Sequence, residues 1–405
     1  MPFGRRSKPD VLIAGAGLGG LTAALALLRQ GHRVQVFEQA PQVADVGGGL
    51  QLSANATRVL ARLGLSDALR AVASEPAGKE VRLWNTGQTW KLFDLGAESV
   101  ARYGHPYFTL YRPDLHRVLA EAIEAAQPGA IVLGARCAGF EHSDAGATLL
   151  LDDGRRVDGE VLVGADGVQS RIRRQLLGGD EPSFSGCMAW RGVIRADQLP
   201  ARLRRPVGTN WIGPGGHVIH YPLRRGELMN FVGIIERSDW TVESWTAVGT
   251  VAECERDFAG WNDDVHALIR AIEVPYKWAL MQRAPLAQWS RGHVTLLGDA
   301  CHPALPFLAQ GAAMAIEDAA MLARCLAAEP KDVPNALRRF HRARAERTGK
   351  VVLGSAENAR RFHNPALACA DEAIAYVDRE WSEAKVRERY DWLFDYKVDE
   401  VPLPD

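Results

Sequence analysis

Little in this chain ties it to an oxidising compartment, a metal or a polyanion. Its six cysteines (Cys137, Cys187, Cys254, Cys301, Cys325 and Cys369) are scattered and form no C-x-x-C. That argues for reduced, buried thiols in a cytoplasmic protein, not for a disulfide or zinc framework, and no metal site is expected. The formal net charge is −1 over 405 residues, so no global field favours nucleic acid or an acidic membrane. The cluster Arg5, Arg6, Lys8 reads as a short solvated tip. No internal repeat or low-complexity linker is evident. The run Val11–Leu28 carries no charge, but the glycines in its first half and the acid-terminated strand that follows exclude a signal peptide or membrane span. The remainder is ordinary globular usage, 47% hydrophobic and 24% charged. That suits two or three domains, or one large α/β body with an inserted lobe.

The stretch from Val11 to Glu38, VLIAGAGLGGLTAALALLRQGHRVQVFE, organises the chain. A short apolar strand, Val11–Ala14, leads into Gly15, Gly17 and Gly20, set as G-x-G-x-x-G. An Ala/Leu-rich helix follows, then a second strand, Val34–Phe37, ending on Glu38. This is the dinucleotide-binding βαβ pattern. Gly15 allows the tight turn, Gly17 lets backbone approach a pyrophosphate, and Gly20 lets helix pack closely on strand. The helix N-terminus offers free N–H groups to phosphates, and Glu38 can accept hydrogen bonds from ribose hydroxyls. Which dinucleotide binds is left open by this stretch alone.

Two further motifs lie downstream. After the strand Val161–Val163 comes Gly164-Ala165-Asp166-Gly167-Val168-Gln169-Ser170-Arg171-Ile172-Arg173. It places a carboxylate and a glycine at a strand end, with Ser170 as a helix N-cap. Arg171 and Arg173 add positive charge near any nucleotide phosphate. After the strand Gly292–Leu297 comes Gly298-Asp299-Ala300-Cys301-His302-Pro303, running through Pro306 to Gln310, Gly311 and Ala312. Asp299 suits hydrogen bonding to a polyol, and Gly311 opens a helix whose N-terminus can face an electron-rich ring.

Between the motifs, Gly47–Gln51 reads as a backbone-exposing loop and Ser53–Gly64 as a helix. Residues 80–95 read as a hairpin, and Pro113 starts a helix through about Ala126. Short strands are expected at Ala130–Leu133, Thr148–Leu151 and Val161–Val163, with a turn at Asp152-Asp153-Gly154. From Cys187 to Arg283 longer strands dominate (Met188–Ile194, Gly216–Leu223, Leu228–Ile235), broken by one helix at about 249–273. Helices follow from Gly311 to Leu326, over 336–362 and over 371–398. The layout implies a nucleotide-binding domain from 1–78, 100–185 and 290–362, a sheet-rich substrate domain from 79–99 and 186–289, and a C-terminal helical segment from 363–405.

Together these motifs resemble the single-component flavin-dependent aromatic hydroxylases, of the salicylate and 3-hydroxybenzoate hydroxylase type, over nearly the whole chain. The resemblance implies the para-hydroxybenzoate hydroxylase-like fold: α/β, with a Rossmann-type FAD-binding domain, an inserted sheet-rich substrate domain and a helical C-terminus. It implies that Gly15, Gly17, Gly20 and Glu38 hold the AMP half of FAD, with Gly49 a further cofactor contact. Arg112 would lie near the ribityl and pyrophosphate, Asp166 and Gly167 would serve FAD and reduced nicotinamide, and Asp299 would bind the ribityl chain. Pro306 would flank the isoalloxazine, with Gly311 and Ala312 at its pyrimidine edge. The single nucleotide fingerprint leaves NAD(P)H to bind transiently near the flavin.

The substrate chemistry is expected on Gly216–Leu223. Strand alternation puts His217 and Tyr221 on one face and His220 on the other. A His/Tyr pair suits a phenolic substrate, whose hydroxyl proton must be removed or shared. The pair resembles that of hydroxylases acting on 3-hydroxybenzoate, and Gln310 matches a polar substrate contact there. The implied reaction is reduction of FAD by NAD(P)H, formation of a flavin C4a-hydroperoxide with O₂, and attack by the ring. Met188, Trp190 and Trp211 are candidates for an apolar wall. A related epoxidase or halogenase activity on another aromatic or heteroaromatic substrate is the alternative, although Trp211-Ile212-Gly213-Pro214 departs from the halogenase W-x-W-x-I-P. The tail Tyr390–Tyr396 could pack on a neighbouring subunit as a homodimer contact or dock on its own domain.

Overall fold

The computed structural model describes residues 11–42, 47–179, 181–237, 239 and 247–404; the basic cluster at Arg5, Arg6 and Lys8 lies outside them. Two sheets dominate. The first has six strands in the order Ser290–Arg291, Val294–Leu296, Val161–Gly164, Val11–Ala14, Val34–Phe37, Ile131–Val132. All neighbours pair in parallel except the first two. Val11–Ala14 is buried at every position, because helix Leu18–Arg29 covers one face of the sheet and the strands Gly146–Leu151 and Arg156–Gly159 cover the other. Helix Leu18–Arg29 joins it to Val34–Phe37. The ends of three central strands therefore deliver Gly15, Asp166 and Asp299 to one edge.

The second sheet has seven strands, ordered Tyr276–Gln282, Ser183–Arg195, Leu228–Glu236, Gly216–Leu223, Val207–Gly213, Gly78–Leu83, Thr89–Asp94. Its register assigns every side chain to a face, because directly opposed residues point the same way. His217 pairs with Ile234 and Ile212, Ile219 with Val232 and Asn210, and Tyr221 with Asn230. Lys79 lies opposite Gly208 across the next strand pair. These residues share one face.

The other face carries Met188, Trp190, Trp211, Val218 and Phe231, packed on Phe258, Val265, Leu268 and Ile269. The expected apolar wall of Met188, Trp190 and Trp211 is thus corrected. The alternation that brings His217 and Tyr221 to one side sends these three to the opposite core.

Several local expectations also change. Gly49–Leu52 is a strand antiparallel to Phe108–Tyr111, not an open loop. The Asp152–Gly154 turn leads into an additional strand, Arg156–Gly159, which pairs back on Gly146–Leu151. The helix expected at about 249–273 is two, Val251–Asp257 and Asp263–Arg270, separated by a segment in which Gly260 takes φ +80°. Cys369 is exposed while the other five cysteines are buried. Helices Ala370–Glu380 and Glu383–Phe394 pack on their own chain, where the Phe394 ring meets Tyr103 at 5.7 Å and Tyr107 at 5.9 Å. Among the described residues no helix is long and apolar enough to cross a membrane.

Candidate active site

The glycine loop is built by close approach. Gly15 takes φ +104°, and a Cβ there would lie 2.4 Å from the Ala165 carbonyl oxygen. A Cβ on Gly20 would lie 2.0 Å from the Gly15 oxygen. Gly17 differs: a Cβ there meets nothing within 4 Å, and the same holds at Gly311. Gly167 is likewise open, so Gly17, Gly167 and Gly311 leave room beside their backbone while Gly15, Gly20 and Gly49 do not. Glu38 accepts the Ala16 amide at 2.8 Å and the Ala40 amide at 2.9 Å, which fixes its carboxylate beside the loop.

Asp166 caps the following helix: it accepts from the Ser170 hydroxyl and from the Arg171 and Ile172 amides at 2.8 and 3.2 Å. Burial raises its pKa, and those hydrogen bonds oppose the rise. Ser170 accepts the Arg173 amide at 2.9 Å, the expected N-cap. The arginines do other work than expected. Arg171 pairs with Asp152, and buried Arg173 donates to the Ala300 and Cys301 carbonyls at 3.3 and 3.1 Å. Arg173 thereby ties the second motif to the third.

In the third motif Asp299 is exposed, and Arg112, the first residue of helix Arg112–Ala126, lies within electrostatic reach of it and of Tyr221. Burial lowers the Arg112 pKa, and those two groups oppose the shift. Pro306 is exposed at the start of a short turn. Ser355 Oγ and Asn358 Nδ2 hold that turn from behind, donating to the Leu305 and Phe307 carbonyls at 2.5 and 2.8 Å. Ala309 sits at φ +54°, the left-handed region, immediately before Gln310. Such a conformation costs about 1 kcal/mol or more in a non-glycine residue.

Behind helix Gly311–Ala328 lies a buried polar network that sequence reasoning did not anticipate. Arg344 bonds Asp318 and Glu317, each at 2.7 Å, and Arg347 grips Glu317 with two contacts of 2.8 Å. Asn55 donates to Glu317 at 2.6 Å, and His302 meets Asp318 at 2.5 Å. Burial pushes the Asp318 carboxyl up, but His302 and Arg344 outweigh it and hold the pKa at about 2. Gln310 belongs to this network: it donates to Ser53 at 2.9 Å and accepts from Asn55 at 3.0 Å. Its buried amide is committed to the protein, where a substrate contact was expected. The available signal was Glu317-Asp318 itself, two acids inside a helix of small apolar residues.

On the sheet face opposite these loops, His217 is wholly buried. Its Nδ1 lies 2.7 Å from His363 Nε2, and His363 Nδ1 lies 3.0 Å from Glu236 Oε1. The His217 ring packs on Phe307 and Phe362 at 5.4 and 4.9 Å. Burial, then His363 and Lys79, push its pKa well below the usual value, so the imidazole is neutral. Its Nε2 has no partner among the described residues; neither do Asn210 Oδ1 and Asn230 Nδ2 on the same face.

Tyr221 stands at the other end of the strand. A Cβ on Gly49 would fall 2.7 Å from its ring, and Gly49 N donates to Asn230 at 2.6 Å. Four residues of strand put the Cα atoms of His217 and Tyr221 about 13 Å apart. The two residues share a face, as expected, but stand at its two ends, with Ile219 between them on the strand.

This arrangement fits FAD. It offers an open glycine turn at a helix N-terminus, three carboxylates at strand ends, and an unobstructed second helix start at Gly311. A family model described as FAD binding domain matches residues 8–355. The chain is 40% identical over 391 residues to the 3-amino-4-hydroxybenzoate 2-monooxygenase PtnB3 of Streptomyces platensis, covering 96% of this chain and 97% of that one. It is 34% identical over 401 residues to the 6-hydroxynicotinate 3-monooxygenase of Bordetella bronchiseptica, covering 98% of each. A crystal structure of Klebsiella pneumoniae HpxO complexed with FAD and uric acid shares the fold, with a TM-score of 0.81 at 24% identity, over 94% of this chain and 96% of that one. The chain belongs to the FAD binding domain family and is an FAD-dependent aromatic monooxygenase.

Proposed function

We propose that this enzyme hydroxylates a phenolic aromatic acid of the hydroxybenzoate type, using NADH or NADPH and O₂. In the overall reaction a ring C–H becomes C–OH, the second oxygen atom leaves as water, and the nicotinamide is oxidised. Bound FAD supplies the redox chemistry: it takes electrons from NAD(P)H and activates O₂ for transfer to the ring. The protein has to bind and orient the acid, move its phenolic proton and keep water out.

The observation that carries this reading is the unpartnered, buried Nε2 of His217. The Glu236 carboxylate accepts from His363 Nδ1–H, so His363 Nε2 accepts from His217 Nδ1–H. That chain leaves a lone pair on His217 Nε2, aimed away from the protein's own donors. A phenol hydroxyl placed there donates to it, and the ring becomes a richer nucleophile. The proton taken up has a path through His363 to Glu236, whose side chain is 57% exposed. Tyr221, packed against Gly49, orients the far end of the ring. Joint deprotonation by His217 and Tyr221 thus becomes two separate tasks. The substrates in the names of the two relatives above, an aminohydroxybenzoate and a hydroxynicotinate, are both ring acids bearing an ionisable hydroxyl.

On the cofactor side, Gly15, Gly17, Gly20 and Glu38 would hold the AMP half of FAD. Gly49, Arg112, Asp166, Gly167 and Asp299 would line its middle, with Pro306, Gly311 and Ala312 at the ring. Asp299→Ala should weaken FAD retention about tenfold, read as the flavin-to-protein absorbance ratio after gel filtration. A fully saturated yellow variant would contradict that placement. The function is tested by following NADH and NADPH oxidation with 3-amino-4-hydroxybenzoate, 6-hydroxynicotinate and 3-hydroxybenzoate. Acid-stimulated oxidation is expected with at least one, and no stimulation by any of them would sink the reading.

A further inference from the structure

One charged side chain on the His217/Tyr221 face is used by nothing above. Lys79 is only 8% exposed. Its one hydrogen bond among the described residues is long, 3.4 Å to Gln51 Oε1. Among the described residues no carboxylate pairs with it; the adjacent Glu80 points to the opposite face, where Arg82, Arg205 and Thr209 bind it. A buried ammonium without a counter-ion is costly unless a ligand completes it.

Its register places it beside Tyr221, on the face that also carries His217. Gly208 lies between Lys79 and Tyr221, and a Cβ on Gly208 would sit 3.8 Å from Lys79 Cγ and 3.9 Å from Tyr221 Cβ. A glycine inside a strand leaves a hollow between such neighbours. Gln51 Oε1 accepts from Lys79 and from the Tyr107 hydroxyl, the latter at 2.8 Å. His217 also feels the Lys79 charge. The other buried cation on this face, Arg191, is stacked over Tyr276 and Trp278 at 5.1 and 5.5 Å.

We infer that Lys79 is the counter-ion for the substrate's carboxylate, with Gln51 positioning the ammonium and the phenolic end of the ring directed at His217. This rests on the phenolic-acid reading above and adds the residue that selects acids over neutral phenols. Arrangement of the acid between Lys79 and His217 also fixes which ring carbon faces the flavin.

The test uses the FAD-loaded enzyme and the perturbation of its flavin absorbance on titration with 3-hydroxybenzoate and, separately, with neutral 3-hydroxybenzamide. Lys79→Met should raise the Kd for the acid about 30-fold and leave that for the amide within about threefold, so that discrimination between the two collapses. Lys79→Arg should restore part of it. Equal acid affinity in wild type and Lys79→Met would overturn the inference, as would equal weakening of acid and amide; either leaves the phenolic-acid reading standing. A wild-type enzyme that prefers the amide overturns both.

Discussion

Replacing His217 with asparagine should lower coupled hydroxylation by about two orders of magnitude or more while FAD stays bound. General-base assistance contributes a factor of about 10²–10⁴ where the base is well placed. His217 meets the conditions for that. Its ring is fixed by Phe307, Phe362 and His363, burial keeps it neutral, and its free nitrogen has no partner among the described residues. Asparagine can hydrogen-bond a phenol but cannot carry its proton to His363. The loss should appear in product formed per NAD(P)H consumed, with excess H₂O₂, more than in the affinity for substrate. The sign of the pH dependence follows from the depressed pKa. His217 becomes protonated, and useless as a base, only on acidification well below pH 6.5, so hydroxylation should show no His217 inflection between pH 7 and 8. Undiminished coupling in the variant would remove His217 from the mechanism.

Arg344→Met should be the most destabilising single change outside the flavin loops, by about 3–5 kcal/mol, seen as a fall in melting temperature on the order of 5–10 °C. Arg344 has no exposed side-chain surface, and neither do its partners Glu317 and Asp318. Methionine fills much of the volume yet strands two buried carboxylates with one remaining arginine, Arg347. The damage should spread to cofactor binding, because Asp318 also fixes His302 and the Gly298 amide at 3.2 Å in the Gly298–Pro303 loop. Arg117→Met is the comparison. Arg117 pairs with Glu121 at 3.0 Å with both side chains more than half exposed, and such pairs contribute about 0–1 kcal/mol. Similar melting shifts in the two variants would show that the buried network does not carry the load assigned to it.

The flavin side of this site was legible because its signals are local. A strand, a G-x-G-x-x-G and an acid-terminated second strand lie within one supersecondary unit, and Val11–Ala14 and Val34–Phe37 fold where the pattern puts them. Gly216–Leu223 was legible for the same reason, and alternation correctly joined His217 to Tyr221.

The substrate side depended on long-range pairing. Val207–Gly213 lies outside the strands expected from the pattern, yet parallel pairing with Gly78–Leu83 makes it a central strand. Without that register, nothing local says that Lys79 shares a face with Tyr221, or that Trp190 and Trp211 turn away. The glycines of Gly47–Gln51 read as a loop, but Gly49–Leu52 is a strand. The close approach of Tyr221 and Asn230 is what requires Gly49, and both lie far along the chain. His363 and Glu236 were invisible as partners of His217 because a helix end and a strand end meet there only in the folded protein.

Oxygen transfer from O₂ to a phenolic acid requires a site that keeps water out. Turnover of NADH or NADPH with the stimulating acid under ¹⁸O₂, followed by mass analysis of the aromatic product, follows that transfer. One ¹⁸O atom per product molecule is the result this account requires. Unlabelled aromatic acid with all the oxidised nicotinamide recovered as H₂O₂ would contradict it.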